Sequence, residues 1–231
     1  MKIVLIGQGG HSKVIKDIIL SAEENEIAAY LDDKFSELKT VEQSITGPTE
    51  AAADLISYWG DVKFIIAIGS NSVRKKMKER LNLPDEYYAT VIHRTACISY
   101  SAIIGRGTVI MPNAVVNADS QIGNHAIINS CAVVEHDNCI GNYTHISPNA
   151  TLAGNVTVEE GVHIGSGATV IPGKTIRQWA VIGAGATVIN DVPQYRTAVG
   201  VPAKVLRKEG EVLVNISTKK NLPLAASYER K

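Results

Sequence analysis

Residues 140–175 read IGNYTH-ISPNAT-LAGNVT-VEEGVH-IGSGAT-VIPGKT. Every block of six opens on Ile, Leu or Val, and the fifth place is small except at Lys174. Extended in both directions, the frame runs from Ile92 to Val192 without a slip. All 17 first positions are Ile, Val or Leu, and 15 of 17 fifth positions are small, Asn138 and Lys174 being the exceptions. The second position is often glycine, as at Gly105, Gly123, Gly141, Gly165 and Gly183. A period of six fits neither the 3.6 of a helix nor one long strand, but it suits short strands joined by regular turns. Three hexad faces make a triangular coil. One branched aliphatic per face fills the interior, and coils stack through main-chain hydrogen bonds about 4.8 Å apart. The 102 residues from Ile92 to Pro193 then build a prism about 27 Å long.

A narrow interior of this kind has no room for Phe or Trp, and the composition agrees. The chain of 231 residues has 12 aromatics, but Ile92–Pro193 holds only Tyr100, Tyr143 and Trp179. The same stretch carries 10 of the 46 charged residues and 11 of the 19 glycines, so it follows a different rule from the ends.

Upstream, Lys2–Ile6 reads as a buried strand, Gly7-Gln8-Gly9-Gly10-His11-Ser12 as a glycine turn, and Ser12–Ile19 as a helix. A second strand ends in Tyr30-Leu31-Asp32-Asp33; a third, Lys63–Ile68, runs into Gly69-Ser70-Asn71. A helix over Ser72–Leu81 bears Arg74, Lys75, Lys76, Lys78 and Arg80, read as a solvated face. Strand, turn, helix and strand make a Rossmann-like βαβ unit, predicted over residues 1–91. Gly7 and Gly9 fit the dinucleotide fingerprint, but Ser12 stands at its third glycine, and one half-unit leaves no place for a second nucleotide. The turn is therefore read as a mononucleotide or nucleotide-sugar site with Asp32 at a ribose hydroxyl. A purely structural turn and a dinucleotide site are the alternatives.

The hexads resemble those of the hexapeptide-repeat acyltransferases, whose [LIV]-[GAED]-x-x-[STAV]-x pattern builds a left-handed parallel β-helix. With Gly-x-Gly-Gly-His-Ser, Leu-Asp-Asp and Ala-Ile-Gly-Ser-Asn added, the resemblance narrows to the subfamily of sialic acid O-acetyltransferases and N-acetyltransferases of the UDP-N-acetylbacillosamine pathway. It covers residues 1–208. The fold it implies is an α/β Rossmann-like domain followed by an all-β left-handed β-helix at 92–208, with 209–231 a flexible tail. It also implies a nucleotide sugar held at Gly9, Gly10, His11, Asp32, Asp33 and Gly69, and acetyl-CoA as co-substrate on the β-helix.

Acyl transfer from a thioester to an amine needs a base for the nucleophile's proton and donors for the oxyanion. Among six histidines, His136 stands out in Val134-Glu135-His136-Asp137-Asn138-Cys139, the one hexad with carboxylates on both sides of an imidazole. A carboxylate beside a histidine orients it and raises its basicity. The resemblance makes His136 the general base and Asp137 its helper, with Glu135 as a substitute helper; an ordinary exposed histidine is the alternative. It places His145 on the acetyl-CoA carbonyl. His145 lies half a coil from His136, on another face, so the two are expected to meet across a subunit interface in a homotrimer. No serine or cysteine of the repeat is expected to have a paired base, which implies direct attack without an acyl-enzyme.

His145 and His163 stand one full coil apart and should stack, whereas His125 is out of step, so a three-histidine zinc site is not expected. Gly154 and Gly165-Ser166-Gly167 offer bare backbone for a pantetheine arm. Lys174, Arg177, Lys204 and Arg207 are candidates for the coenzyme's phosphates or plain surface cations. The Gly200-Val201-Pro202-Ala203 segment after the last coil adds to the resemblance.

The balance of 23 basic against 23 acidic residues argues against nucleic acid and polybasic membrane binding. No apolar run is long enough to span a bilayer, and Cys97, Cys131 and Cys139 form no CxxC pair, so a cytoplasmic protein is expected. The reading is an acetyl-CoA-dependent N-acetyltransferase of a UDP-4-amino sugar in glycan or exopolysaccharide synthesis. O-acetylation of a sialic acid and a non-catalytic nucleotide-sugar-binding assembly protein are the alternatives.

Overall fold

The computed structural model describes residues 1–22, 24–41 and 44–206. Arg207 and the expected tail at 209–231, with Lys219 and Lys220, lie outside the described residues. The N-terminal unit is a five-stranded sheet. In chain order its elements are β1 (Lys2–Ile6), α1 (Gly10–Leu20), β2 (Glu26–Leu31), β3 (Lys39–Val41), β4 (Ser44–Gly47), α2 (Ala52–Trp59), β5 (Lys63–Ile66) and α3 (Asn71–Leu81). The strand order is β3-β4-β2-β1-β5, with β1, β2, β4 and β5 parallel and β3 antiparallel at the edge. Because β1 is covered on both faces, it reads as a continuous apolar run. Ile3 and Leu5 pack with Ile15, Ile18 and Ile19 of α1, whereas Val4 and Ile6 pack with Leu55 of α2 and Met77 of α3.

From Val91 the chain winds into a left-handed parallel β-helix of short strands. Each strand pairs with the one three hexads on, as in Val115↔Val133 and His145↔His163, and the strands form three sheets. Fourteen of the 17 first-position aliphatics are buried; the other three, Ile92, Ile98 and Ile104, belong to the opening coil. Each side chain so buried contributes roughly 2 kcal/mol.

The fourth hexad position carries a rule of its own. From Gly107 to Gly185 every fourth-position residue is left-handed, with φ between 54° and 71°. Gly, Asn and Asp meet that demand at low cost. His125, Cys131, Tyr143 and Trp179 also adopt it. The frame does slip at its end: Val192 pairs with Ile176 and Thr197 with Val181, each pairing falling two positions short of a full coil. Val192, expected at a fifth position, thereby stands beside the first-position Ile176.

The two units share one apolar cluster, in which Ile3 and Ile15 meet Val109, Met111 and Ile127 of the prism. The second junction is α3 against one edge of the prism, where Gly107, His125, Tyr143, Gly161 and Trp179 recur once per coil. Here His125 stacks on Tyr143 with ring planes 3° apart, and the Trp179 ring covers the bare face of Gly161. Two of the three aromatics in the repeat thus stand outside the narrow interior, where the helix docks. The expectation of a solvated face on α3 holds for Lys76 and Arg80, which are exposed, but fails for Arg74. Arg74 is buried, and Lys75 pairs with Glu160 at 2.7 Å beneath Trp179. Lys78 pairs with Asp85 and Arg80 with Asp33; one face of the helix, with Asn71, Arg74 and Met77, is buried, and the opposite face stays open to solvent.

Candidate active site

At the C-terminal ends of β1, β2 and β5 the chain leaves the sheet as three loops, and they enclose a cavity of about 380 Å³. All six residues expected at a nucleotide sugar, Gly9, Gly10, His11, Asp32, Asp33 and Gly69, line it. A Cβ added at Gly9 or Gly10 would meet nothing within 4 Å, so the α1 N-terminus presents open backbone to the cavity. Such a terminus favours anionic groups.

Asp32 and Asp33, just beyond β2, have separate tasks. Asp32 accepts from the Gln8 N–H at 2.7 Å and the Lys34 N–H at 3.0 Å, which fixes the glycine turn. Asp33 accepts from the Thr49 hydroxyl at 2.6 Å and from Arg80 Nη1 at 2.9 Å, and these bonds, Arg80's first, hold its carboxyl below the usual range.

His11 lies on the cavity wall with its ring centroid 6.3 Å from that of His145, which the prism contributes. Burial, reinforced by the charge of Arg74, pushes His11 down to about 4, and its Nε2 is buried without a partner. His145 is pushed down to about 3, chiefly by burial and then by His163 and Arg74. Its tautomer follows from its neighbours. Asn129 Oδ1 accepts from the Ser130 N–H, so Asn129 Nδ2 is the donor to His145 Nε2 at 2.9 Å. The proton of the neutral ring is then on Nδ1.

His163 stacks edge-on to His145 at 5.1 Å, as their one-coil separation predicts. Contrary to expectation, a serine of the repeat does have a histidine beside it: Ser147 Oγ lies 3.3 Å from His163 Nε2. Ser147 is buried, so its hydroxyl is closed to an acyl donor. His125 is enclosed elsewhere, between Tyr88 and Tyr143. Among the described residues no group of three or more His, Cys, Asp or Glu is arranged to hold a metal ion.

His136 occupies a different corner of the prism and is exposed. Asp137 adopts φ 60° at the fourth position and turns its carboxylate back to His136 Nδ1 at 2.7 Å. That bond leads the causes that raise the imidazole's pKa. Glu135 is committed to Asn117 Nδ2 at 2.9 Å, which leaves Asp137 as the partner. The His136 ring lies over Gly154, where a Cβ would come within 2.6 Å of its Cε1. The bare backbone at Gly154 therefore seats the imidazole within this chain. Asn138, the exception at the fifth position, is buried under the corner and donates to the carbonyls of Glu135 and Ala153. Its break in the repeat is visible in the sequence; its supporting role depends on carbonyls of two successive coils, which the sequence does not place together.

Of the other residues expected near acetyl-CoA, Ser166 and Lys204 are exposed and Lys174 is half-buried. A Cβ at the neighbouring Gly167 would meet nothing within 4 Å. Arg177 is paired with Glu159 at 3.2 Å.

Residues 2–81 match the PglD N-terminal domain family, and residues 101–136 and 140–172 match the bacterial transferase hexapeptide family. The chain is 48% identical over 109 residues to the UDP-N-acetylbacillosamine N-acetyltransferase of Bacillus subtilis (strain 168). That alignment covers 47% of this chain and spans about half the length of the curated relative. Among solved structures, PerB from Caulobacter crescentus, in complex with CoA and GDP-perosamine, is 36% identical with a TM-score of 0.80 over 90% of this chain and 98% of its own. The acetyltransferase domain of PglB from Neisseria gonorrhoeae FA1090, in complex with acetyl coenzyme A, is 34% identical with a TM-score of 0.76 over 89% and 98%.

Proposed function

Because the chain belongs to the hexapeptide-repeat acyltransferases that carry a PglD-type N-terminal domain, we propose that it is an acetyl-CoA-dependent N-acetyltransferase of a nucleotide-linked 4-amino sugar. The observation that carries the chemistry is the His136–Asp137 pair, 2.7 Å apart on an exposed corner. Asp137 occupies Nδ1, so Nε2 is the free lone pair. As the sugar nitrogen attacks the thioester carbonyl, His136 takes its proton. The tetrahedral intermediate then expels the coenzyme thiolate, to which the imidazolium returns a proton.

Residues 1–91 hold the nucleotide sugar and 92–208 carry acyl transfer. The phosphates lie at Gly9 and Gly10, and the unpartnered His11 Nε2 receives a hydrogen bond from the sugar. Acetyl-CoA runs along the later coils by Ser166, Lys174 and Lys204. His145 lines its acyl end as a neutral ring; with its Nε2 accepting, the neighbouring Asn129 amide is the available donor to a carbonyl.

His136 and His145 stand on different faces, and a homotrimer brings His136 of one subunit to the cleft of the next. No described helix is long and apolar enough to cross a membrane, and the three cysteines are free and exposed, which supports placement in the cytoplasm. The test is an assay of coenzyme A release with UDP-linked sugars that carry or lack a 4-amino group. Turnover confined to the amino sugars is expected; equal turnover of hydroxyl sugars would refute N-transfer.

A further inference from the structure

Arg74 heads the fully buried side chains in size, and no carboxylate among the described residues pairs with it. Its charge is met by dipoles alone. Nε donates to the His125 carbonyl at 2.8 Å. Nη1 donates to the carbonyls of Ile68 at 2.9 Å and Gly69 at 3.1 Å. Nη2 serves Asn71 Oδ1 at 3.0 Å and the carbonyls of Tyr143 at 3.0 Å and Thr144 at 3.1 Å. Five donors thus reach six acceptors, and only a planar fork supplies them from one point.

The five carbonyls among them fall into two sets. Ile68 and Gly69 form a wall of the nucleotide cavity. His125, Tyr143 and Thr144 belong to the prism, Thr144 immediately before His145. Arg74 thus donates both to the Gly69 carbonyl of the cavity wall and to the Thr144 carbonyl next to His145, so one guanidinium spans the cavity wall and the coil that meets it. Asn71 reinforces the span by donating to the Gly161 and Val162 carbonyls at 3.1 and 3.0 Å.

We infer that Arg74 is a positioning residue for acyl transfer, holding the Gly69 wall of the nucleotide cleft against the coil that bears His145 so that sugar and acyl donor meet in one geometry. The inference rests on the acetyltransferase reading above. Arg74 touches neither reactant; its effect passes through Gly69 and His145. A displacement of about 1 Å between reacting groups costs roughly a hundredfold in rate.

The experiment compares the full-length wild type with Arg74→Lys and Arg74→Met. Steady-state kinetics on a UDP-4-amino sugar and acetyl-CoA is paired with ¹⁵N NMR of the histidine rings and a thermal melt. Arg74→Lys is expected to lower kcat roughly a hundredfold while both KM values stay within about threefold, with Arg74→Met lower still. The His145 nitrogens, protonated at Nδ1 in the wild type, are expected to shift toward a tautomer mixture in both variants. A folded variant with wild-type kcat and unchanged His145 shifts would overturn the inference, since a purely structural clamp changes the melt alone. If wild type acetylates no nucleotide amino sugar, the functional reading fails, and the His145 shifts still decide the role of Arg74. If neither variant folds, Asn71→Ala, which removes an acceptor of Arg74 and two bonds to the prism, decides instead: a lowered kcat with shifted His145 signals supports the inference, and wild-type kcat with unchanged signals overturns it.

Discussion

The His136 imidazole lies across the bare α-carbon of Gly154, one coil further along the prism. A methyl group there would sit 2.6 Å from Cε1, so ring and side chain exclude each other. The backbone at Gly154 is not left-handed, and an alanine is tolerated by the main chain. Gly154→Ala should therefore leave the protein folded but push His136 off its seat. Coenzyme A release is expected to fall on the order of a hundredfold, with the melting temperature nearly unchanged.

Asp137 offers a charge test without a backbone penalty, because asparagine also accepts φ 60°. The rate depends on neutral His136 and so rises with pH through the imidazole's raised pKa. Asp137→Asn removes the leading cause of that rise. The acid limb of the pH–rate profile should move to lower pH, and the plateau should fall by roughly tenfold to a hundredfold as the ring loses its orientation. An acid limb that does not move would detach Asp137 from the base.

The buried histidines dictate acid stability. His11 and His125 are held down to about 4 and His145 to about 3, each chiefly by burial, against about 6.5 in an unfolded chain. Between those values the unfolded state binds more protons. Stability is therefore full above pH 6.5 and is lost as pH falls toward 4. The loss by pH 5 is on the order of 1–2 kcal/mol per histidine. Melting curves from pH 8 to pH 5 should show a steady decline, lessened in His125→Phe, which fills the stack on Tyr143 without a titrating group.

Gly161 tests the docking edge. With φ +71° and the Trp179 ring against its bare face, Gly161→Ala faces both backbone strain and a clash. A loss of roughly 2–3 kcal/mol is expected in a denaturant melt followed by tryptophan fluorescence.

Much of the fold and the cleft was legible in the residues. The six-residue frame fixes the prism, since one aliphatic per face leaves few options, and the glycine turn with Asp32, Asp33 and Gly69 marks the cleft. The left-handed corners escaped because His, Cys, Tyr and Trp share them with Asn, Asp and Gly, which blurs the pattern at position four. Arg74 escaped because a lysine- and arginine-rich helix reads as solvated unless the carbonyls awaiting it are known. Strands β3 and β4 are too short to show alternation, and α2 offers only two turns. The terminal slip was hidden because Val192 suits a fifth position as well as a first.

His136 as the base is the central claim. The direct measurement is acetyl transfer from acetyl-CoA to a UDP-4-amino sugar by wild type and His136→Ala, each folded by its melt. A fall in kcat of about 10²- to 10⁴-fold is predicted, with acetyl-CoA binding retained. Activity should be recovered in trimers mixed from His136→Ala and His145→Ala subunits, which rebuild intact sites. Undiminished transfer by His136→Ala would contradict the claim.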